Sequence, residues 1–189
     1  MNKQTKKIVG IGLFTAIVVV LPLLGGGIKF GTMFSITLVL VPIVVGAAVY
    51  GWQAGAWLGL SFGVAVLLSG DAGPFLAVDP MGTVVVVLVK GILCGLVSGI
   101  VYALIEHINR TLAVIIAALC CPIVNTGVFL VGCNLFFYDT ICEWAAMYGF
   151  PNATNYMILG LAGINFLIEI AVNIALAPTI VRLISIGKR

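Results

Sequence analysis

Long apolar runs separated by short polar breaks dominate the chain. Six of these runs are long enough to cross a hydrocarbon core of roughly 30 Å with some tilt. The third run follows a tight break at Gly51–Gln53, so the second and third runs could instead form a re-entrant pair. The pattern predicts an all-α polytopic membrane protein, a single six-helix domain over residues 1–189. The predicted spans are residues 8–24, 35–50, the segment from the break up to 69, 81–105, 111–137 and 156–184.

The breaks between the runs differ in length and composition. Residues 70–80 form a polar loop with two prolines, and residues 138–155 are predicted to be the longest non-helical segment. The second of these segments is rich in aromatic side chains. Because Trp and Tyr gather at membrane interfaces and aromatic residues also line ligand pockets, the segment is either an interfacial belt or a lid over a ligand.

The basic residues lie mostly on one side of the predicted topology. If the N-terminus is cytoplasmic, the external loops hold Lys29 as their only cation, together with four acidic residues. Cytoplasmic loops of membrane proteins are enriched in Lys and Arg, so both termini are predicted to be cytoplasmic. Seven of the nine basic residues then fall inside: Lys3, Lys6, Lys7, Arg110, Arg182, Lys188 and Arg189.

The composition also indicates a lipid environment. Apolar residues make up 62% of the chain and charged residues 8%, whereas soluble domains carry roughly a quarter charged residues. A net charge of +3 is too small to indicate a nucleic-acid partner. The five cysteines are odd in number and lie mostly inside apolar runs, so we expect buried free thiols rather than a disulfide framework.

Glycine recurs at every fourth position in two of the predicted spans. This spacing places the glycines on one helix face, where another backbone can approach closely, so both series are predicted to be packing faces. Gly12 and Ala16 form a single pair of small residues at the same spacing on the first span. The two series are Gly51, Gly55, Gly59 and Gly63 in the third span and Gly91, Gly95 and Gly99 in the fourth.

Several polar side chains lie within the predicted spans, where ionisable groups are costly and mark functional sites. Counted from the external ends of the fourth and sixth spans, Lys90 lies roughly 13 Å deep and Glu169 roughly 20 Å deep. Asn125 on the fifth span has a depth similar to that of Glu169, and Asn134 lies nearer the outer end. Asn165 and Asn173 share a helix face with Glu169, because the three are spaced by four residues.

These polar residues allow two compatible interpretations. Lys90 and Glu169 could form an internal ion pair that holds the fourth and sixth spans together. Alternatively, spans four to six form an outward-facing pocket for a small polar molecule, because amide and ammonium groups suit the polar groups of such a ligand. The proposed substrate-binding residues are Lys90, Asn125, Asn134, Asn165 and Glu169.

No catalytic motif is present in the sequence. It contains no Walker A motif, no H-E-x-x-H, no G-x-S-x-G and no cysteine–histidine cluster with metal-ligand spacing. We therefore predict that the chain is not an enzyme, has no catalytic residues, and binds neither a metal nor a cofactor.

The order of these features resembles the substrate-binding S components of energy-coupling factor (ECF) transporters, which import vitamins into bacteria. The similarity extends over nearly the whole chain, and no single motif carries it. It lies in the basic N-terminus leading into Ile8–Ile17, in Val41–Ala47 followed by Gly51–Gly55, in the loop Gly70–Pro80, and in Lys90-Gly91 and Asn125-Thr126-Gly127.

The resemblance implies a location, partners and a substrate. S components lie in the bacterial cytoplasmic membrane and bind a vitamin from outside among helices four, five and six, where the polar residues are predicted. They work with two ATPase subunits and a transmembrane coupling subunit, and a pair of alanines on the first helix docks on the coupling subunit. That pair corresponds to Gly12 and Ala16, with glycine in place of the first alanine. The local pattern is most similar to members associated with pantothenate, while riboflavin, folate, a thiamin precursor and queuosine-type ligands remain open.

Two other classes of membrane protein fit parts of the sequence. A proton-coupled secondary transporter would use Glu169 as its titrating group and would need no ATPase. A structural membrane subunit would use the glycine series and bind no small molecule, although the polar stripe on the sixth span disfavours it.

Overall fold

The computed structural model of the chain describes residues 2–24 and 39–187, and within these residues the secondary structure is helical without strands. A short helix and a π-helical segment, Tyr156–Gly163, lead into the last long helix. The helices are α1 (Lys3–Leu23), α2 (Leu40–Tyr50), α3 (Trp52–Ser69), α4 (Gly73–Val78), α5 (Pro80–Ile105), α6 (Arg110–Phe136), α7 (Tyr138–Met147), α8 (Ala153–Asn155) and α9 (Ile164–Gly187).

Five helical stretches of the described residues are long and apolar enough to cross a membrane. They correspond to α1, α3, α5, α6 and the continuous stretch from α8 through α9. The second predicted span is represented by the shorter apolar helix α2, and its first residues, 35–38, lie outside the described residues. The predicted all-α membrane fold is confirmed, and the predicted ends of the fourth and fifth spans are within one residue of those of α5 and α6.

Six of the seven glycines in the two series act as packing residues, as predicted, and the structure shows that their two faces meet between α3 and α5. Gly51 is the exception: it precedes α3, and a β-carbon there would meet no atom within 4 Å. A β-carbon added at Gly55 would overlap the backbone carbonyl of Gly95, and one added at Gly59 would overlap that of Gly91. Such overlap means that the two backbones touch directly at these positions. Gly99 extends the contact toward the first turn of α3. The glycines therefore act as packing residues, and they fix how closely α3 approaches α5.

The short helix α2 is the most completely buried element and contacts α1, α3, α5, α6 and α9. Tyr50 at its end fills the space left by Gly10 of α1 and packs edge-to-face on Phe14. The Trp57 indole of α3 donates a hydrogen bond of 3.2 Å to the Thr15 hydroxyl of α1. Packing around α2 therefore holds the first three helices in one body with the rest of the bundle.

The connecting segments contain helices that the sequence did not predict. Residues 138–155 were expected to be non-helical, but they form α7 and α8. Ile141 and Ala145 of α7 are spaced by four and are both buried, so this helix is stabilised by packing of one apolar face onto the bundle. Helix α4 likewise lies within the polar loop 70–80 and has Pro74 in its first turn.

Helices α4, α7 and α8 connect the long helices at one end of the bundle, which we call the capped end. Gly70, with a φ of 86°, ends α3 there in a left-handed conformation that suits glycine. Asp79 caps α5, accepting a hydrogen bond of 3.1 Å from the Gly82 backbone N–H. At the opposite end, the Arg110 guanidinium donates a bond of 3.0 Å to the Ile184 carbonyl and joins α6 to α9.

Candidate functional site

A cavity of about 140 Å³ lies near the capped end, between α3, α4, α5, α6 and the stretch from the π-helical segment into α9. This space corresponds to on the order of ten water molecules, which suits a small organic molecule. The cavity combines apolar walls with several polar side chains, as small-molecule sites do. Its polar lining residues are Asp71, Thr83, Lys90, Asn125, Thr126, Asn165 and Glu169.

Four of the five substrate-binding residues predicted from the sequence lie around this one cavity. Lys90 comes from α5, Asn125 from α6, and Asn165 and Glu169 from α9. The sequence placed all four within the membrane-spanning segments, and the packing of the three helices brings them around one cavity. The observed arrangement gives a mixed charged and amide surface beneath the capped end.

Asn134 lies elsewhere. It is exposed and is not among the residues that line the cavity. The reason is helical periodicity: nine residues separate Asn134 from Asn125 on α6, about two and a half turns, so the two side chains point in opposite directions.

Three polar lining residues were missed by the sequence analysis. Thr83 precedes Lys90 by seven residues on α5, a spacing that keeps both on one helix face, and Thr126 follows Asn125 on α6. Asp71 was counted only as a charge of the external loop, but it contacts the cavity and accepts a hydrogen bond of 3.1 Å from the Ser69 hydroxyl. The face shared with Lys90 was the signal that could have identified Thr83.

The Lys90 ammonium lies in a mixed aromatic and acidic environment. Its nitrogen is 5.0 Å from the centre of the Phe129 ring, in cation–π geometry. The charges of Glu169 and, more weakly, Asp71 attract it as well. The two interpretations made from the sequence, an ion pair and a pocket, therefore concern the same place in the structure.

Glu169 is buried and is surrounded by amides of its own helix. The Asn165 side-chain amide donates a long hydrogen bond of 3.5 Å to its carboxylate, and the Asn173 amide donates one of 2.8 Å to its backbone carbonyl. The polar stripe expected at four-residue spacing is thus present on α9. It faces the interior of the bundle, since Glu169 and Asn173 are both buried.

The side-chain oxygens of Asn125, Asn165 and Asn173 are buried and accept no hydrogen bond from the described residues. A buried acceptor without a donor costs about 1–3 kcal/mol, so such atoms are rare away from binding sites and buried waters. Asn125 and Asn165 line the cavity, whereas Asn173 lies one turn beyond Glu169. Two of the three oxygens are therefore positioned at the cavity surface.

Aromatic side chains cover the cavity at the capped end. Phe75 of α4 packs edge-to-face on Phe129, Phe137 and Trp144, with ring centres 5.6, 5.1 and 5.3 Å away respectively. Phe75 thereby joins α4 to α6 and α7. Phe75, Phe129 and Phe137 line the cavity, whereas Tyr148 of the same region is exposed. The aromatic segment thus has both an inward-facing and an outward-facing part.

The residues predicted to dock a partner lie apart from this cavity. Gly12 and Ala16 are exposed on α1, and a β-carbon added at Gly12 would meet no atom within 4 Å. At Gly12, therefore, this face of α1 packs against nothing in the described part of the chain. In the described residues, no group of three or more His, Cys, Asp and Glu side chains is placed to hold a metal ion.

Long apolar helices around a polar cavity define a multi-pass membrane protein with a candidate site for a small polar solute. A family model described as "ECF transporter, substrate-specific component" matches residues 6–181. The chain belongs to this family of transport components, and the family resemblance seen in the sequence is confirmed.

The structure is also similar to a solved structure of ThiT from Listeria monocytogenes. The TM-score is 0.65 at 20% sequence identity, and the match covers 97% of this chain and 99% of that chain. At this identity the likeness shows the fold alone. No curated protein sequence matches the chain.

Proposed function

We propose that the chain binds a small water-soluble vitamin from outside the cell and delivers it across the bacterial cytoplasmic membrane together with ECF partner subunits. The observation that carries this proposal is the convergence of Lys90, Asn125, Asn165 and Glu169 on one cavity beneath an aromatic cover. Family membership supports the transport role. The chain itself is then a non-catalytic binding subunit.

The proposed orientation places the capped end outside and both termini in the cytoplasm. Arg110 and Arg182 lie on helix ends opposite the capped end, as does the basic start of α1. Asp71, Asp79, Asp139 and Glu143 belong to the capped end. An excess of Lys and Arg at the cytoplasmic ends of the helices supports this orientation. The cavity would then receive its ligand from the external side.

The proposed partners are a transmembrane coupling subunit and two ATPase subunits. Because the sequence has no Walker A motif, ATP hydrolysis must come from other chains. Gly12 and Ala16 are the proposed docking residues, because small side chains on an exposed helix face let a partner helix approach closely. Their position on α1, away from the cavity, allows docking and ligand binding to be tested separately.

Pantothenate is the first substrate that we propose to test. Its carboxylate would meet the Lys90 ammonium, and its hydroxyl and amide groups would meet the asparagine side chains. Charge-assisted hydrogen bonds of this kind are stronger than neutral ones, so Lys90 would contribute the most to affinity. Riboflavin, folate, a thiamin precursor and queuosine-type ligands are the competing substrates.

A proton-coupled transporter is the second candidate function. It is favoured by one observation, the burial of Glu169 within the bundle, since buried carboxylates serve as proton relays in transporters. In that mechanism Glu169 would load and release the proton, and no ATPase would be needed. The two candidates differ in their energy source, which transport assays distinguish.

The test of the proposed function is to identify the ligand that purifies with the protein. The detergent-solubilised chain is analysed by native mass spectrometry, and small molecules extracted from it are identified. Ala162→Phe, which places a ring in the cavity, should lose the bound mass, whereas Ala146→Phe on the exposed face of α7 should keep it. A bound mass that is unchanged in Ala162→Phe would rule out this cavity as the site.

A further inference from the structure

Two hydrogen-bond acceptors at the cavity surface have no donor within the described part of the protein. They are the side-chain oxygens of Asn125, which is 7% exposed, and of Asn165. The two residues lie on different helices, α6 and α9, and both contact the cavity. A molecule in the cavity is therefore the group best placed to supply the missing donors.

The orientation of the Asn165 amide is fixed by its neighbour. Its nitrogen donates to the Glu169 carboxylate at 3.5 Å. While Glu169 is ionised, turning the amide over would bring its oxygen against a carboxylate oxygen, an unfavourable contact between two acceptors. The oxygen of Asn165 therefore remains an acceptor that a ligand can use.

The charged groups add further acceptors. Glu169 and Asp71 both line the cavity, and Lys90 is the only Lys, Arg or His among the described lining residues. The formal charge of the lining is therefore −1, from one cation and two carboxylates. Acceptors thus outnumber strong donors on the inner surface of the site.

We infer that the ligand is a donor-rich molecule whose hydroxyl, amine or amide N–H groups bond to the Asn125 and Asn165 oxygens. This inference rests on the proposed function, because it assumes that the cavity is the binding site. The remaining polar group of the ligand, an acceptor or an anion, meets Lys90. The apolar part of the ligand lies against Phe75 and Phe129 at the capped end. Asn125 and Asn165 then give the site its preference for ligands that carry hydrogen-bond donors.

A metal ion is the main alternative occupant, because hard cations also seek oxygen ligands. The Lys90 ammonium disfavours it, since the same cavity already holds a fixed positive charge. In addition, no cluster of acidic, histidine or cysteine ligands is formed by the described residues. A neutral or anionic organic molecule with hydroxyl or amide N–H groups satisfies the two amide oxygens without adding a second full positive charge beside Lys90.

The test uses pairs of ligands that differ by one hydrogen-bond donor. Pantothenate, riboflavin, thiamin, folate and queuine are titrated by calorimetry, and the tightest binder is compared with analogues in which one hydroxyl or amine is methylated. Methylation of the donor that faces the asparagines should lower affinity roughly tenfold or more in the natural protein. The same methylation should have a much smaller effect in Asn125→Leu or Asn165→Leu.

Asn134→Leu is the matched control, because this asparagine is on α6 but exposed outside the cavity. It should respond to methylation as the natural protein does. If every methylated analogue binds the natural protein as tightly as the parent ligand, the inference is overturned while the proposed function stands. If no ligand of the panel binds and adding calcium or magnesium raises the melting temperature instead, both the proposed function and this inference are overturned.

Discussion

The Lys90 ammonium and the Phe129 ring lie 5.0 Å apart on neighbouring helices. A cation over an aromatic face gains about 0.5–2 kcal/mol, more when the pair is shielded from water. Phe129 in turn packs against Phe75, which covers the cavity. Lys90 therefore combines an aromatic contact with the electrostatic influence of Glu169.

Replacing Lys90 with methionine separates the ligand-binding role from the ion-pair role. If Lys90 binds an anionic ligand group, Lys90→Met should lower affinity by roughly tenfold to a hundredfold, because a hydrogen bond to a charged group is lost. Methionine is unbranched and only one heavy atom shorter than lysine, so van der Waals packing against Phe129 should survive although the cation–π interaction is lost. The measurements are ligand affinity and melting temperature in detergent, with Lys6→Met at the exposed N-terminus as the control.

The double variant decides between the two roles. If Lys90 only neutralises Glu169, Lys90→Met should mainly lower the melting temperature, and adding Glu169→Gln should restore both stability and binding. Full affinity in the double variant would remove Lys90 and Glu169 from the proposed site. Asn125 and Asn165 would then remain, and a neutral ligand would be favoured.

The glycine contact between α3 and α5 should tolerate no side chain. Gly59→Ala would push a methyl group into the Gly91 carbonyl, and we expect a loss of about 1–3 kcal/mol or more in stability. Gly127→Ala is the matched control, since a β-carbon there meets no atom within 4 Å and alanine favours a helix. Equal melting temperatures for the two variants would contradict this account of the packing.

The fold was predictable where residues of one type recur at helical spacing along the sequence. Four-residue spacing of glycine identified a packing face on α3 and another on α5, because helical geometry alone puts such residues on one face; that these two faces meet each other is seen only in the structure. The short helices α4 and α7 were not predictable in the same way. A helix of ten residues has little stability of its own, so α7 depends on burying Ile141 and Ala145 against the bundle.

The sequence predicted how deep the site residues lie in the membrane, but only partly which of them face the cavity. Counting residues along the helices placed Asn125 and Glu169 at a common level, and the structure places both at the cavity. Asn134 was selected as a second amide of the fifth span, nearer its outer end, although its position on the helix turns it away from the cavity. Thr83 was not selected, because a threonine hydroxyl can be satisfied by its own helix, and Thr83 does donate to the Asp79 carbonyl at 2.7 Å; only the helix face that it shares with Lys90 pointed to it.

The exposed pair Gly12 and Ala16 leads to a prediction about assembly. Ala16→Trp should block assembly with the coupling subunit, because the indole prevents close approach of a partner helix. Ligand binding to the isolated protein should be unchanged, since α1 contributes no residue to the cavity lining. Pull-down and ligand titration of one preparation test both parts, with Ala103→Trp on the exposed face of α5 as the control. Normal assembly of Ala16→Trp would show that this face is not the docking surface.

The energy source can be tested by reconstitution. We expect that liposomes containing the chain alone, with an imposed proton gradient, do not concentrate the vitamin. Uptake should appear when the coupling and ATPase subunits are reconstituted with the chain, with the ATPases facing the liposome lumen and ATP enclosed there. Concentrative uptake by the chain alone, abolished in Glu169→Gln, would establish the proton-coupled alternative.

Phe75 should control how fast the ligand leaves. Its three edge-to-face contacts, each worth about 0.5–1.5 kcal/mol, join α4 to α6 and α7 above the cavity. Phe75→Ala removes all three, so we expect ligand dissociation to become roughly tenfold faster or more, with a smaller change in association.

The fluorescence of Trp144 can report ligand release, because Trp144 contacts Phe75. Trp57 lies on α3 away from the capped end, so Trp57→Phe should leave the change in fluorescence on ligand release intact. Phe136→Ala is the control for a neighbouring aromatic residue that is exposed and does not line the cavity. If Phe75→Ala and Phe136→Ala release the ligand at the same rate as the natural protein, the aromatic cover has no gating role and belongs to the interfacial belt.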